Sequence, residues 1–200
     1  VDDLLTAPEG QLTGTLNATD LTGVTAVLGS VLPDNVLVGR LEQASGHLVP
    51  AKFQANLKAS AQDGVSQIDF RLNGDAGGAK TDFGMNFKGR VDEWHSAEIG
   101  LGVSLSGPSG DQILRQLGFA VLPVGSLGTG EVRFSAIGRP KDGLTVSLSA
   151  AAGQATLGME GRITLQKDRE PDYRLSVSSA APDIAPYALL FGRVLPVMAG

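Results

Sequence analysis

Phe53-Gln54-Ala55-Asn56-Leu57-Lys58-Ala59 places an apolar residue at every odd position and a polar one at every even position. Side chains two apart on a strand share a face, so this stretch reads as a strand with one oily and one wet side. The same alternation runs through Ile68–Asn73, Phe83–Lys88, Ile99–Leu105, Val132–Phe134, Leu144–Leu148 and Leu157–Leu165. Parallel sheets, buried on both faces, carry continuous apolar runs instead, so the pattern predicts an antiparallel sheet. Ala61-Gln62-Asp63-Gly64, Asn73–Gly78, Arg139–Gly143, Ala152-Gly153-Gln154 and Lys167–Pro171 have the residues of tight turns. Together these predict about ten strands, at 11–19, 37–44, 49–61, 65–73, 80–91, 96–106, 129–138, 143–151, 154–165 and 172–179.

Three stretches depart from the alternation and read as short helices: 22–29, 109–118 and 183–192. Ser109 or Asp111 suits an N-cap, and Pro186 lies near a first turn, where proline is tolerated. Each stretch ends alike: Leu28-Gly29-Ser30-Val31-Leu32-Pro33, Leu117-Gly118 followed by Val121-Leu122-Pro123, and Phe191-Gly192-Arg193-Val194-Leu195-Pro196. The glycine suits a left-handed C-cap and the proline prevents the helix from resuming. This shared grammar predicts internal β…βα repeats over approximately 1–36, 37–126 and 127–200, within one domain spanning 1–200. The chain opens Val1-Asp2-Asp3, without an initiator Met or a basic-then-apolar leader, and reads as a fragment of a longer protein or a mature form.

Composition narrows the chemistry. The net charge is −5, which opposes nucleic-acid binding, since that needs a basic face. There is no cysteine, so disulfides, thiolate metal sites and Cys nucleophiles are excluded. The two histidines, His47 and His95, share no motif. No run of apolar residues is long enough for a membrane-spanning helix. Gly74-Asp75-Ala76-Gly77-Gly78-Ala79-Lys80-Thr81 resembles a phosphate-binding loop, but Ala79 replaces the second glycine and an alternating strand follows where a helix is needed. It reads as a hairpin turn. Asp92-Glu93-Trp94-His95 concentrates acids, the one Trp and a His, yet adjacent strand residues diverge, so it reads as a loop or strand end. We expect no catalytic residues, no metal and no cofactor. A hydrolase built on scattered carboxylates is disfavoured because no two acids have a spacing that pairs them.

The strand-SLSG–helix–Leu-Gly-x-x-Val-Leu-Pro pattern, followed by Gly128-Thr129-Gly130-Glu131-Val132, resembles the AsmA family, in particular its AsmA-like C-terminal region. Val103–Leu165 carries the likeness most clearly, through Ser106-Gly107-Pro108-Ser109-Gly110-Asp111, Leu117-Gly118, Val121-Leu122-Pro123 and Leu144–Gly161. That family is similar to TamB and to lipid-transfer proteins made of repeating β-grooves. The resemblance implies a membrane-associated, non-catalytic module in the periplasm of a Gram-negative bacterium, tied to the inner membrane by segments outside this chain. It also implies outer-membrane biogenesis and lipid transport. Phospholipid, or another acyl-chain lipid, would be the partner, and an envelope protein a further one.

The residues point to the same surface. The candidate lipid-binding face comprises Phe53, Leu57, Ile68, Phe70, Phe83, Met85, Phe87, Ile99, Leu101, Val103, Phe134, Val146, Leu148, Leu157 and Met159. Burying one such side chain is worth about 1.5–3 kcal/mol, so the stripe must be covered. Either helices plug it, giving a closed core, or acyl chains complete it. A ten-residue helix is only about 15 Å long, short for so wide a sheet. The expected architecture is therefore mainly β: a long, curved antiparallel sheet, a taco or half-barrel, with three short helices capping its concave apolar face. Gly84, Gly100, Gly102, Ser104, Ser147 and Ser149 add little bulk on the other face and are expected to ease its curvature. The alternative to a lipid groove is a scaffolding β-repeat module with a closed core and a protein partner, docked through an unpaired edge strand.

Overall fold

The protein is described by a computed structural model that covers residues 9–23, 25–26, 39, 42–117, 128–166 and 169–180. Nine strands form one sheet in chain order: β1 (Gly10–Ala18), β2 (Ala51–Gln62), β3 (Val65–Ala76), β4 (Ala79–Gly89), β5 (Glu98–Gly107), β6 (Gly130–Arg139), β7 (Gly143–Ala152), β8 (Ala155–Thr164) and β9 (Asp172–Ala180). Every neighbouring pair is antiparallel, so the sheet is a meander. Among the described residues β1 and β9 form its two edges, and the curved sheet is not closed.

The turns explain why the strands reverse where they do. Asp63 and Gly64 join β2 to β3 with φ of 53° and 77°. Gly77 and Gly78 join β3 to β4 with φ of 53° and 83°. Two consecutive positive φ values make the tight hairpin whose twist matches that of the strands. The phosphate-loop lookalike is thus a hairpin turn.

Helix is sparse. α1 (Gly110–Gln116) follows β5 where a helix over 109–118 was expected. After β1, Thr22, Gly23, Thr25 and Ala26 are helical, in agreement with the first expected helix. Asp20 caps them: its Oδ1 accepts from the Thr22 N–H at 2.7 Å and from Thr22 Oγ1 at 2.5 Å, which holds the carboxyl below its ordinary pKa. The third expected helix, 183–192, lies outside the described residues. The strand expected at 37–44 is corrected: Gly39 and Glu42–Ala44 are helical, and a 3-10 turn follows at Ser45–His47. Leu37, Leu41 and Ala44 recur at i, i+4 and i+7, a helical spacing that Val36 and Val38 beside them conceal.

Among the described residues one buried apolar cluster sits at the α1 end of the sheet. Ala79 (0%), Leu105 (7%) and Ile113 (2%) are buried together, with Leu117 and Val132 against them. Gln116 fastens α1 there. Its Nε2 donates to the Ala76 carbonyl at 2.8 Å and to the His47 carbonyl at 3.1 Å. Gln112 Nε2 donates to the Gly77 carbonyl. Gly77 can be nothing else, because an added Cβ would lie 1.9 Å from the His47 carbonyl oxygen. At the other end, the Lys141 N–H donates to the His95 carbonyl at 2.9 Å and the Leu165 N–H to the Pro140 carbonyl at 2.8 Å.

Candidate apolar groove

Register converts alternation into a surface. One row across the strands reads Leu12, Leu57, Phe70, Met85, Leu101, Ala136, Val146, Gly161 and Leu175. The next reads Gly14, Ala55, Leu72, Phe83, Val103, Phe134, Leu148, Met159 and Val177. The flanking rows contain Ile68, Phe87 and Ile99 on one side, and Phe53, Leu105, Val132 and Leu157 on the other. All fifteen candidate residues therefore share one face. Phe70 and Phe83, on adjacent rows, meet edge to face with centroids 5.8 Å apart.

Of these candidates only Val146 is buried; the rest are half-buried. At the sheet edges the same face is more open, with Leu12 66%, Tyr173 59% and Val177 61% exposed. Beneath α1 the sequence changes. The row at that end carries Ala18, Ala51, Ala76, Ala79, Gly130, Ala152 and Ala155. Small residues let the helix approach the sheet: a Cβ on Gly130 would come 2.7 Å from Ile113 and 2.8 Å from Gly110. This row of small residues escapes an alternation count, because alanine and glycine barely register as apolar positions. Its signal is the run of small residues at corresponding strand ends.

The opposite face is wet. Rows such as Thr13, Asn56, Arg71, Gly84, Gly102, Ser135, Ser147, Glu160 and Ser176 carry hydroxyls, amides and charges. A hollow of about 750 Å³ opens on this side, lined by Arg71, Asn73, Asp82, Asn86, Arg133 and Ser147 around Gly84, Gly100 and Gly102. A Cβ on Gly84 or Gly102 would enter this hollow and meet nothing within 4 Å. Two glycines of the apolar rows lie close against neighbouring backbone. A Cβ on Gly74 would lie 2.0 Å from the Lys52 carbonyl oxygen, and one on Gly161 2.0 Å from that of Arg174.

The charged residues form surface pairs. Arg90 holds Asp92 at 2.9 Å and Glu93 at 3.6 Å. The guanidinium lowers the Asp92 carboxyl pKa through its hydrogen bond. Trp94 stacks on His95 with centroids 4.0 Å apart, in a 3-10 turn at Trp94–Ser96. The acid–Trp–His cluster is thus a loop. Among the described residues no group of three or more His, Asp or Glu side chains is placed to hold a metal. Among them, too, no helix is long and apolar enough to cross a membrane.

Comparison with family models, with curated proteins and with solved structures finds no match to this chain.

Proposed function

We propose that the protein is a non-catalytic, AsmA-like module whose apolar sheet face binds or conducts phospholipid acyl chains. The observation that carries this reading is the half-burial of an apolar face made in register by nine strands. A closed core would bury Phe70, Phe83 and Phe134; among the described residues these are half-buried, while Ala79, Leu105 and Ile113 form a buried cluster at one end and Ala136 and Val146 are buried mid-face. In this reading the sheet curls toward its apolar side and forms a trough. Acyl chains in such a trough keep their CH₂ groups from water, at about 0.8 kcal/mol each, while head groups remain solvated. The placement in the periplasm and the part in outer-membrane biogenesis rest on the resemblance of Val103–Leu165 to the AsmA family.

The repeat reading draws support from topology. In a meander the odd strands run the same way, so β1, β5 and β9 all end on one side of the sheet. The helical residues after β1, and α1 after β5, leave from that side, four strands apart. The end of β9 is the next position in that series.

A fluorescent fatty acid tests the function. Binding should saturate, and should fall at least tenfold with Phe83→Asp or Leu101→Asp, and not with Gly84→Asp on the other face. Circular dichroism must show that each variant is folded. Absence of binding by the folded wild-type chain, together with absence of copurifying phospholipid in native mass spectrometry, would refute the groove.

A further inference from the structure

The hollow on the wet face is set apart by its floor and by one charge on its rim. The floor is bare backbone: Gly84 and Gly102 are cross-strand partners on β4 and β5, and Gly100 follows on the same face. Asn86 faces Gly100, and its Oδ1 lies over the floor, 3.7 Å from where a Cβ on Gly100 would sit. Among the described residues Arg71, on β3, has no carboxylate within ion-pair distance, whereas Arg133, on β6, is paired with Glu131. Asp82, on β4, accepts from Ser104 Oγ at 3.5 Å and keeps further acceptor capacity.

From this hollow we infer a binding site for an acidic oligosaccharide, a chain of hydroxyl-rich rings that carries a carboxylate or a phosphate. Size argues against a lone anion, because about 750 Å³ falls in the range of whole-ligand sites, roughly 300–1,000 Å³. The lining strands argue against an extended peptide. Each of β3 to β7 is paired on both sides, so its backbone N–H and C=O groups are already used within the sheet. A nucleic acid needs a basic face, which a net charge of −5 opposes. What the hollow offers is side-chain donors and acceptors at Asn73, Asp82, Asn86, Ser147 and Ser149. These suit hydroxyl groups, each of which both donates and accepts. The glycine floor lets a ring approach the backbone closely. Ile137, 63% exposed at the rim, gives the carbon side of a ring an apolar contact. Arg71 supplies the planar fork that takes a carboxylate or phosphate through two parallel hydrogen bonds. The site lies on the face opposite the apolar residues, and the inference stands whether or not that face carries lipid.

Amide NMR on the isotope-labelled full chain tests the site. Three probes separate the parts of the ligand: an oligogalacturonide, which carries carboxylates, a phosphorylated oligomannoside, and neutral maltotriose. At least one of the two acidic oligosaccharides should bind saturably and shift the amide signals of Gly84, Gly100 and Gly102, and the tighter of the two identifies the anion. Maltotriose should bind about tenfold more weakly, and Arg71→Gln should weaken the acidic sugar by a similar factor, the share of a charged hydrogen bond. Gly102→Val fills the floor without a clash, and should abolish binding while its melt stays that of wild type. Failure of both acidic oligosaccharides to shift those three amides, equal affinity for maltotriose, or binding that survives in folded Gly102→Val would overturn the inference.

Discussion

The end of the sheet under α1 and the middle of the same face obey one alternation and reach opposite outcomes. At the α1 end the inward residues are Ala51, Ala76, Ala79, Gly130 and Ala155, and a helix is seated on them by Ile113 and Gln116. In the middle the inward residues are Phe70, Phe83, Met85, Leu101 and Phe134, and they stay half-buried. Among the described residues, side-chain size thus marks where a helix seats on the sheet and where none does. A helix can approach alanine and glycine closely, whereas phenylalanine and leucine hold it away.

The largest effect expected from this contrast is at Gly130. Gly130→Val forces a Cβ to within 2.7 Å of Ile113 and 2.8 Å of the Gly110 Cα. Overpacking of this kind costs about 3 kcal/mol, or roughly 6–12 °C in melting temperature for a chain of this size. Gly84→Val, with nothing within 4 Å, should change stability by no more than about 0.5 kcal/mol. Equal losses in the two melts would erase the distinction between the faces.

Truncation sharpens it further. Ile113 is 2% exposed, and Ile113→Ala should cost about 2–3 kcal/mol by denaturant titration. Phe83 is larger but half-buried, so Phe83→Ala should cost less, about 1–2 kcal/mol, despite removing more atoms. If Phe83→Ala proves the more damaging, the middle of the face is a closed core. Gln116→Ala comes next in size. It leaves the Ala76 and His47 carbonyls without their amide donor and should cost about 1–3 kcal/mol, loosening the β3–β4 turn in hydrogen exchange.

The smallest effect lies on the wet face. Arg139 holds Glu98 across β5 and β6 at 2.6 Å, and its hydrogen bond lowers the carboxyl below its ordinary 4.5. A carboxyl depressed on folding contributes stability above its unfolded pKa and loses it as pH falls through the folded value. Wild type should therefore lose slightly more stability than Glu98→Gln below pH 4.5 and behave alike above it. Both side chains are about half-exposed, so salt should mute the difference.

Much of the fold was legible because period two is a local signal. β2, expected at 49–61, occupies Ala51–Gln62, and β7, expected at 143–151, occupies Gly143–Ala152. Turn glycines fixed the hairpins, since Asp63-Gly64 and Gly77-Gly78 need positive φ. The candidate face was legible for the same reason: two-residue hairpins set odd positions opposite even ones, and the apolar positions switch parity with them, from Leu57 to Phe70 to Met85. The segment around Glu42–Ala44 was misread because a valine-rich opening outweighed a helical spacing of only two turns. The seating of α1 was not legible at all. It depends on Gln116 reaching the carbonyls of His47 and Ala76, residues distant in sequence, and no local pattern encodes that meeting.

Met85 and Asn86 are neighbours on β4 whose side chains leave opposite faces of the sheet. An environment-sensitive fluorophore on Met85→Cys or on Asn86→Cys, in an otherwise cysteine-free chain, reports which face meets acyl chains. On addition of phospholipid with brominated tails, the label at 85 should shift to the blue and be quenched, while that at 86 stays unchanged. Equal responses at both positions, or none at 85 in a folded protein, would contradict an apolar face open to lipid.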